Sequence, residues 1–524
     1  MKRVPCFAYL RSPLSGLAVS GLAFVALWAA VPRIACAQNA PNIDPAQSTD
    51  WAAAAIVHAQ GMRRFKDADR GSQPTPPIIP QLEVDEDSSG LVGTFQPGMA
   101  TITASNAFFQ NLGTNGRTCF TCHQPQTGWT VSAASIRARF DASAGVDPIF
   151  RLVDGATCPT DDVSSFGAKR KAYKLVIDKG LIRIGIGLPP TPPTNLQFEV
   201  AAVDDPYNCT TNPATGLTSP TSGILSMYRR PLPSTNLGFL SAITIMWDGR
   251  EPSLAHQSID ATRIHAQADA DPTTEQQKEI VAFESGIFTA QIFDGGAHDL
   301  NADGATGGPV ALSLQLAKFF VGVNDPLGQN PTGAKFDPNI FDLFRPWLGL
   351  HGADNETRDR QSIARGEEVF NTTNITITGV TGLNDVLNLP SIAGFCGTCH
   401  DTPNVGNHSV KAPLNIGIAN AGANAPPALD ISGLPVFTLK CTQGPLAGQT
   451  FVVTDPGRAL ITGNCADIGK VKGPILRGLA SRAPYFHNGS AATLLDAVNF
   501  YDQRFKIGFT NQQKKDLVNF LNTL

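Results

Sequence analysis

The sequence predicts a mainly α chain of two related domains, the first interrupted by a loop-rich insertion. Three observations lead there. The pattern C-x-x-C-H occurs twice, at Cys119–His123 and Cys396–His400. Segments with helical apolar spacing precede the motifs and close the chain. The 49 Gly and 39 Pro are too many for a coiled coil or a simple bundle. With 524 residues there is room for two or three domains. Charged residues make up 16 %, the formal net charge is −4 and no basic stripe appears, which argues against a nucleic-acid partner.

Residues 1–37 read as an export signal. Lys2, Arg3 and Arg11 give a basic start, an apolar run follows from Leu14 to Val31, and Ala35-Cys36-Ala37 is a small-x-small cleavage site. The competing reading is an uncleaved anchor, since the run approaches the length that spans a bilayer. Cleavage would leave a periplasmic or secreted protein with no membrane attachment. Residues 38–95 form a mixed, partly Pro-rich extension, 96–350 the first domain with an insertion at about 155–222, and 351–524 the second.

Export changes how the cysteines read. Beyond Cys6 and Cys36, four stand in the two motifs and four stand alone. In an oxidising compartment the lone ones are expected to pair. Nearness in sequence suggests Cys158–Cys209 and Cys441–Cys465, although four cysteines allow three connectivities.

The two motifs carry the chemistry. In C-x-x-C-H the thiols form thioethers to the two vinyl groups of one haem, and the adjacent imidazole meets the iron. A redox dithiol needs no following His, yet one follows in both places. A zinc site needs four ligands, and neither cluster has a second C-x-x-C or paired His nearby. The reading is therefore two covalently bound haem c groups, attached at Cys119, Cys122, Cys396 and Cys399, with His123 and His400 as iron ligands. The flanks agree. Ile363, Val369 and Phe370 have helical spacing before the second motif. Thr510 and Gln513 form a capping box ahead of Leu517, Phe520, Leu521 and Leu524. A helix before the motif and another at the end is a cytochrome c arrangement. Residues 100–112 are expected to form the equivalent helix before the first motif.

Two further segments are specific: Arg229-Arg230-Pro231 followed by Met246-Trp247-Asp248-Gly249-Arg250, and residues 476–490, which contain Ala483-Pro484-Tyr485-Phe486-His487. With two C-x-x-C-H motifs in this order, the chain resembles the bacterial di-haem cytochrome c peroxidase and MauG family, and more distantly the di-haem rubber oxygenases. The resemblance covers about half of the chain, in four islands. It implies that the haem on His123 meets hydrogen peroxide or dioxygen, that Trp247 relays electrons, and that the haem on His400 exchanges them. The electron donor would be a cytochrome or other small redox protein, or an organic substrate.

The resemblance also marks departures. Gln257 matches the family's distal-pocket Gln. The peroxidases place a catalytic Glu ten residues on, where this chain has Gln267. An amide donates a hydrogen bond but cannot shuttle a proton, so His265, two residues earlier, is the substitute acid–base candidate. No His stands between Gln124 and Gly145, where some members place a distal ligand, so the first iron is expected to keep an open face. No Met follows the second motif. Tyr501, fourteen residues after His487, is the expected second ligand of the second iron; a phenolate favours ferric iron. The family's calcium ion has only weak candidates here, Asn236 and Pro484. The partial calcium loop at 299–304 has Val310 where Glu is required and reads as a turn.

The leading function is thus a peroxidase-like oxidoreductase. A dioxygenase acting on an apolar organic substrate and a non-catalytic electron carrier are the alternatives.

Overall fold

Helices form in this chain where one face is apolar and a side chain is at hand to cap the first turn. The Asn355–Thr372 helix starts at Asp354, whose carboxylate accepts from the Thr357 amide, and buries Ile363, Ala364, Gly366 and Phe370. The final helix, Asn511–Asn522, starts at the expected Thr510–Gln513 capping box and buries Leu517, Phe520 and Leu521. These two helices form the centre of a core that also takes in Phe341, Phe344, Trp347 and Val498. They touch at Gly366, where a Cβ would stand 2.0 Å from the Asp516 carbonyl oxygen and 2.6 Å from the Phe520 Cβ. Beside that contact Asp516 accepts from Ser362 and from the Arg365 guanidinium.

The structure, a computed structural model, describes residues 75–189, 195–209, 224–240, 245–410 and 413–524. All of them lie within one unit, Ala46–Leu524. The expected signal at 1–37, residues 38–74 of the expected extension and residues 190–194 and 210–222 of the expected insertion lie outside the described residues. No described helix is long and apolar enough to cross a membrane.

The fold class needs correction: the protein is not mainly α. Among the described residues helix accounts for 32 % and strand for 17 %. The described strands form five small antiparallel sheets. The largest has four strands in the order Leu82–Glu86, Gly90–Phe95, Phe288–Asp294, His298–Asp299. These segments are rich in β-branched and aromatic residues, and each is too short for an amphipathic helix. Residues 100–112 are not a helix either. They hold a two-residue strand, Thr101–Ile102, and two short turns, Thr103–Ser105 and Ala107–Phe109. The Thr-Ile-Thr run favours extended backbone. The Asn106 side chain accepts from the Phe108 amide, a local bond that competes with a continuing helix.

The described part of the expected insertion, 155–189 and 195–209, is more ordered than its composition suggests. Ser165 caps a helix at Phe166–Ala172, and a second follows at Lys174–Lys179. Val176 and Ile177 of that second helix pack with Ile136 and Phe140 of the Ala133–Ser143 helix. The strand Phe198–Asp204 then pairs antiparallel with Val436–Cys441, which pairs in turn with Thr450–Val453. An insertion from the first half therefore completes a sheet of the second half. The disulfides Cys158–Cys209 and Cys441–Cys465 tie down both contributions.

Gly366→Ala forces the two core helices apart and is expected to cost about 1–3 kcal/mol of overpacking. Thermal or denaturant unfolding of the intact protein checks this; an unchanged midpoint contradicts the contact.

Candidate functional site

Each C-x-x-C-H motif opens with a single tight turn. Thr121 Oγ1 accepts from the Thr118 amide at 3.0 Å, and Thr398 Oγ1 accepts from the Phe395 amide at 2.9 Å. The His123 amide then donates to the Cys119 carbonyl at 3.0 Å, and the His400 amide to the Cys396 carbonyl at 3.1 Å. The two turns present their histidines alike. His123 Nδ1 lies 2.8 Å from the Trp129 carbonyl oxygen, and His400 Nδ1 lies 2.8 Å from that of Gly406. A carbonyl only accepts, so Nδ1 carries the proton and the Nε2 lone pair is left for a metal. Both carbonyls come six residues after the imidazole, from residues with left-handed backbone: Trp129 at φ 55° and Gly406 at φ 76°. Phe108 lies 6.3 Å from the first imidazole and Phe370 lies 6.2 Å from the second. Burial pushes His123 down to about 4 and also lowers His400, so both rings stay neutral, as ligation requires.

Each trio of Cys, Cys and His lines its own cleft. The first has about 1550 Å³ of empty space including its mouth, and the second about 1670 Å³. All four motif cysteines are free thiols. Burial raises each thiol, Cys396 and Cys399 to about 12. An exchanging dithiol needs a lowered thiol pKa, so these pairs are poorly suited to disulfide exchange. A pair of thiols, a neutral imidazole with free Nε2 and a roomy, mostly apolar cleft together fit a covalently attached haem in both places.

Further along the first cleft the Leu254–Ile264 helix presents Gln257, Ser258, Ala261 and Thr262, with His265 just past its end. His265 Nδ1 lies 2.5 Å from Asp154 Oδ2, and Arg117 Nη1 lies 2.5 Å from Asp154 Oδ1. Burial opposes the Asp154 charge, but Arg117 and then His265 outweigh it and hold the carboxyl below its ordinary value. The result is a fixed Arg–Asp–His chain whose imidazole reaches the cleft. Gln267 does not join it. That residue is exposed, in left-handed backbone at φ 54°, and its side chain bonds to Asn115 outside the cleft.

Trp247 lines both clefts. Its indole N–H donates to the Arg230 carbonyl at 2.8 Å, its own carbonyl accepts from the Lys472 amide at 2.7 Å, and its ring lies 6.1 Å from His487. The next residue, Asp248, is buried against Arg229 at 2.6 Å, and Arg229 also grips Asp455 at 2.7 Å.

The second cleft contains Tyr501 and two histidines that sequence reasoning did not single out as ligands. Tyr501 is raised by burial and then by the nearby Cys399 and Cys396 thiols. His408 directs Nδ1 to Asp401 at 2.9 Å and leaves Nε2 without a protein partner. His487 has neither ring nitrogen hydrogen-bonded to protein. No regular spacing links these three, so only the fold reveals that they share a wall.

Asn236 uses both amide atoms on the Thr289 backbone, at 2.9 Å each, and Pro484 lines the second cleft. In the 299–304 turn, Asp303 pairs with Arg360 at 2.5 Å. Glu251, His256 and Asp260 bring three ligand atoms within 4.8 Å of one another, with His256 Nδ1 2.5 Å from Glu251.

Glu284 is a cleft residue that no motif or spacing singles out. It is fully buried in the first cleft, and Oε2 has no hydrogen-bond partner. Burial pushes its carboxyl up to about 7 against a hydrogen bond from Ser234.

No family model matches the chain. It is 28 % identical over 251 residues to the cytochrome c551 peroxidase of Nitrosomonas europaea, covering 46 % of this chain and 63 % of that protein. It is 40 % identical over 81 residues to the cytochrome-c peroxidase IdrP1 of Denitromonas iodatirespirans, covering 13 % of this chain and 22 % of that protein. The chain thus spans less than two thirds of the length of either relative. Among solved structures, a MauG-like protein associated with microbial copper homeostasis superposes with a TM-score of 0.30 at 17 % identity, over 60 % of this chain and 76 % of that one.

The folded Glu284 carboxyl at about 7 exceeds its ordinary 4.5, so its contribution to stability is complete below pH 4.5. It is lost as pH rises towards 7 and is constant above that. The span corresponds to about 3 kcal/mol. Glu367, also pushed up to about 7 by burial, adds to the same slope. Glu284→Gln is expected to flatten the fall in melting temperature between pH 5 and pH 8 relative to the parent. An unaltered slope contradicts a neutral buried carboxyl.

Proposed function

We propose, on the premise that the chain is a relative of the bacterial di-haem cytochrome c peroxidases, that it is an exported di-haem oxidoreductase of that type. It would act in the periplasm or outside the cell, with haem domains at about 96–350 and 351–524. The observation that carries this is the matched pair of clefts, each with two free thiols and an imidazole whose Nδ1 is held 2.8 Å from a backbone carbonyl. When bound, haem c supplies an iron that exchanges single electrons and coordinates peroxide or dioxygen.

The residues divide the remaining work. Cys119 and Cys122, then Cys396 and Cys399, anchor the two groups, and His123 and His400 hold the metals. Gln257 orients the oxidant by donating a hydrogen bond from its amide. His265 holds and returns the proton that peroxide cleavage requires, with Asp154 fixing its tautomer as a carboxylate does in a catalytic triad. The exposed position of Gln267 leaves that role to His265. Trp247, on the wall common to both clefts, carries electrons between them. Tyr501 is the proposed second ligand of the second metal, and hydrogen peroxide and a small redox protein are the proposed partners.

One observation favours a second reading. The first cleft also has Ile182, Ile184, Leu237, Leu240 and Ile245 on its wall, a surface suited to an apolar organic substrate and hence to dioxygenase chemistry.

The test is peroxide turnover by purified holoprotein with a reduced cytochrome or dye as donor. His265→Ala is expected to lower kcat about 10²-fold or more, whereas Gln267→Glu leaves it unchanged. Oxygen uptake that requires an apolar substrate, without peroxide turnover, selects the second reading. Low-temperature electron paramagnetic resonance showing both irons low-spin and six-coordinate makes the protein an electron carrier.

A further inference from the structure

Lys472 is an isolated buried charge. Its side chain is entirely enclosed, and Nζ has no hydrogen-bond partner. It belongs to the wall common to both clefts, together with Arg230 and Trp247. The buried acids Asp248 and Asp455 both pair with Arg229. Two more buried cations stand with it in the second cleft. Arg230 donates to the carbonyls of Lys179, Val131 and Arg482, at 2.8, 2.5 and 2.7 Å. Arg482 donates to the Ile475 carbonyl. Carbonyls satisfy the N–H groups of these guanidinium ions but do not neutralise them. Burial pushes Lys472 down to about 8, Arg230 to about 9 and Arg482 to about 10. A fold seldom tolerates uncompensated buried cations unless a counter-ion arrives.

We infer that the Lys472 ammonium, which lines the second cleft together with Arg230 and Arg482, is an anion site built to receive the carboxylates of prosthetic groups from both clefts and to couple their charge. The inference rests on the haem reading above and deepens it. A porphyrin fastened by its vinyl edge to a cysteine pair carries its two propionates on the opposite edge. The wall common to both clefts offers those carboxylates a single unpaired ammonium. One cation near two redox centres favours the reduced form of both, and removing it favours the oxidised form of both.

The experiment is a spectroelectrochemical titration of the holoprotein, parent against Lys472→Met and Lys472→Arg. Lys472→Met is expected to lower both midpoint potentials, each by up to about tenfold in the oxidised-to-reduced ratio, or about 59 mV for a one-electron couple. Lys472→Arg keeps the charge and is expected to stay near the parent. Lys472→Gln, which retains polarity, serves if the Met variant does not fold and is expected to shift the same way. Potentials unchanged in both neutral variants overturn the inference, and a shift confined to one centre overturns the shared site. A parent protein that carries no covalently bound pigment sinks the haem reading itself, whereas a pigmented parent with immobile potentials sinks only the role of Lys472.

Discussion

A single buried guanidinium holds the centre of this molecule together. Arg229 ends one strand, Asp248 sits in the tight turn beside Trp247, and Asp455 belongs to a loop of the second half. Burial alone would discharge all three. In combination the two carboxylates outweigh the desolvation of Arg229, and Arg229 does the same for them. Removing one member of such a buried group leaves a charge uncompensated, which costs about 3–5 kcal/mol. The turn it secures places an indole against both clefts, and the Asp455 end lies 3.6 Å from His487. The geometry between the two sites therefore depends on an ion cluster that touches neither set of motif cysteines.

Around that centre the two clefts share one construction. A threonine hydroxyl closes the turn, a carbonyl six residues on fixes the imidazole, and a phenylalanine ring stands near it. Their far walls differ. The first offers an Arg–Asp–His chain, an amide and a buried carboxyl. The second offers a phenol and two histidines among aliphatic side chains. Equal means of fixing an imidazole thus serve two unequal environments, and the ligands and proton donors around a site do most to set its chemistry.

The Phe198–Asp204 segment is tied to the later part of the chain. This strand is an edge of a sheet whose other strands come from beyond residue 435, and two disulfides close the neighbouring loops. An edge strand left unpaired invites association with other chains. Here one side of the strand is paired within the chain, to Val436–Cys441, which ties the two parts of the chain together.

The sequence by itself determined what is local. The C-x-x-C-H motifs, the Thr510 capping box and the helix before the second motif all depend on residues within a few turns of each other. Short-range spacing is enough to specify them, whereas which of the three connectivities the lone cysteines take was settled by the fold. The sheets left little trace in the sequence because the strands are short, which leaves no periodic signal, and because some pair across long separations, Gly90–Phe95 with Phe288–Asp294 and Phe198–Asp204 with Val436–Cys441; the Thr-Ile-Thr run before the first motif follows its β-branched preference. Gln267 lies in left-handed backbone just past the helix with its side chain exposed, while His265 lines the first cleft, a difference of orientation that spacing alone does not show. The carbonyls of Trp129 and Gly406, the partner of His265 more than a hundred residues away, and the isolated charges of Glu284 and Lys472 were decided by tertiary structure alone. Main-chain acceptors carry no residue identity, and whether an acid or an amine is buried depends on what the rest of the chain packs against it.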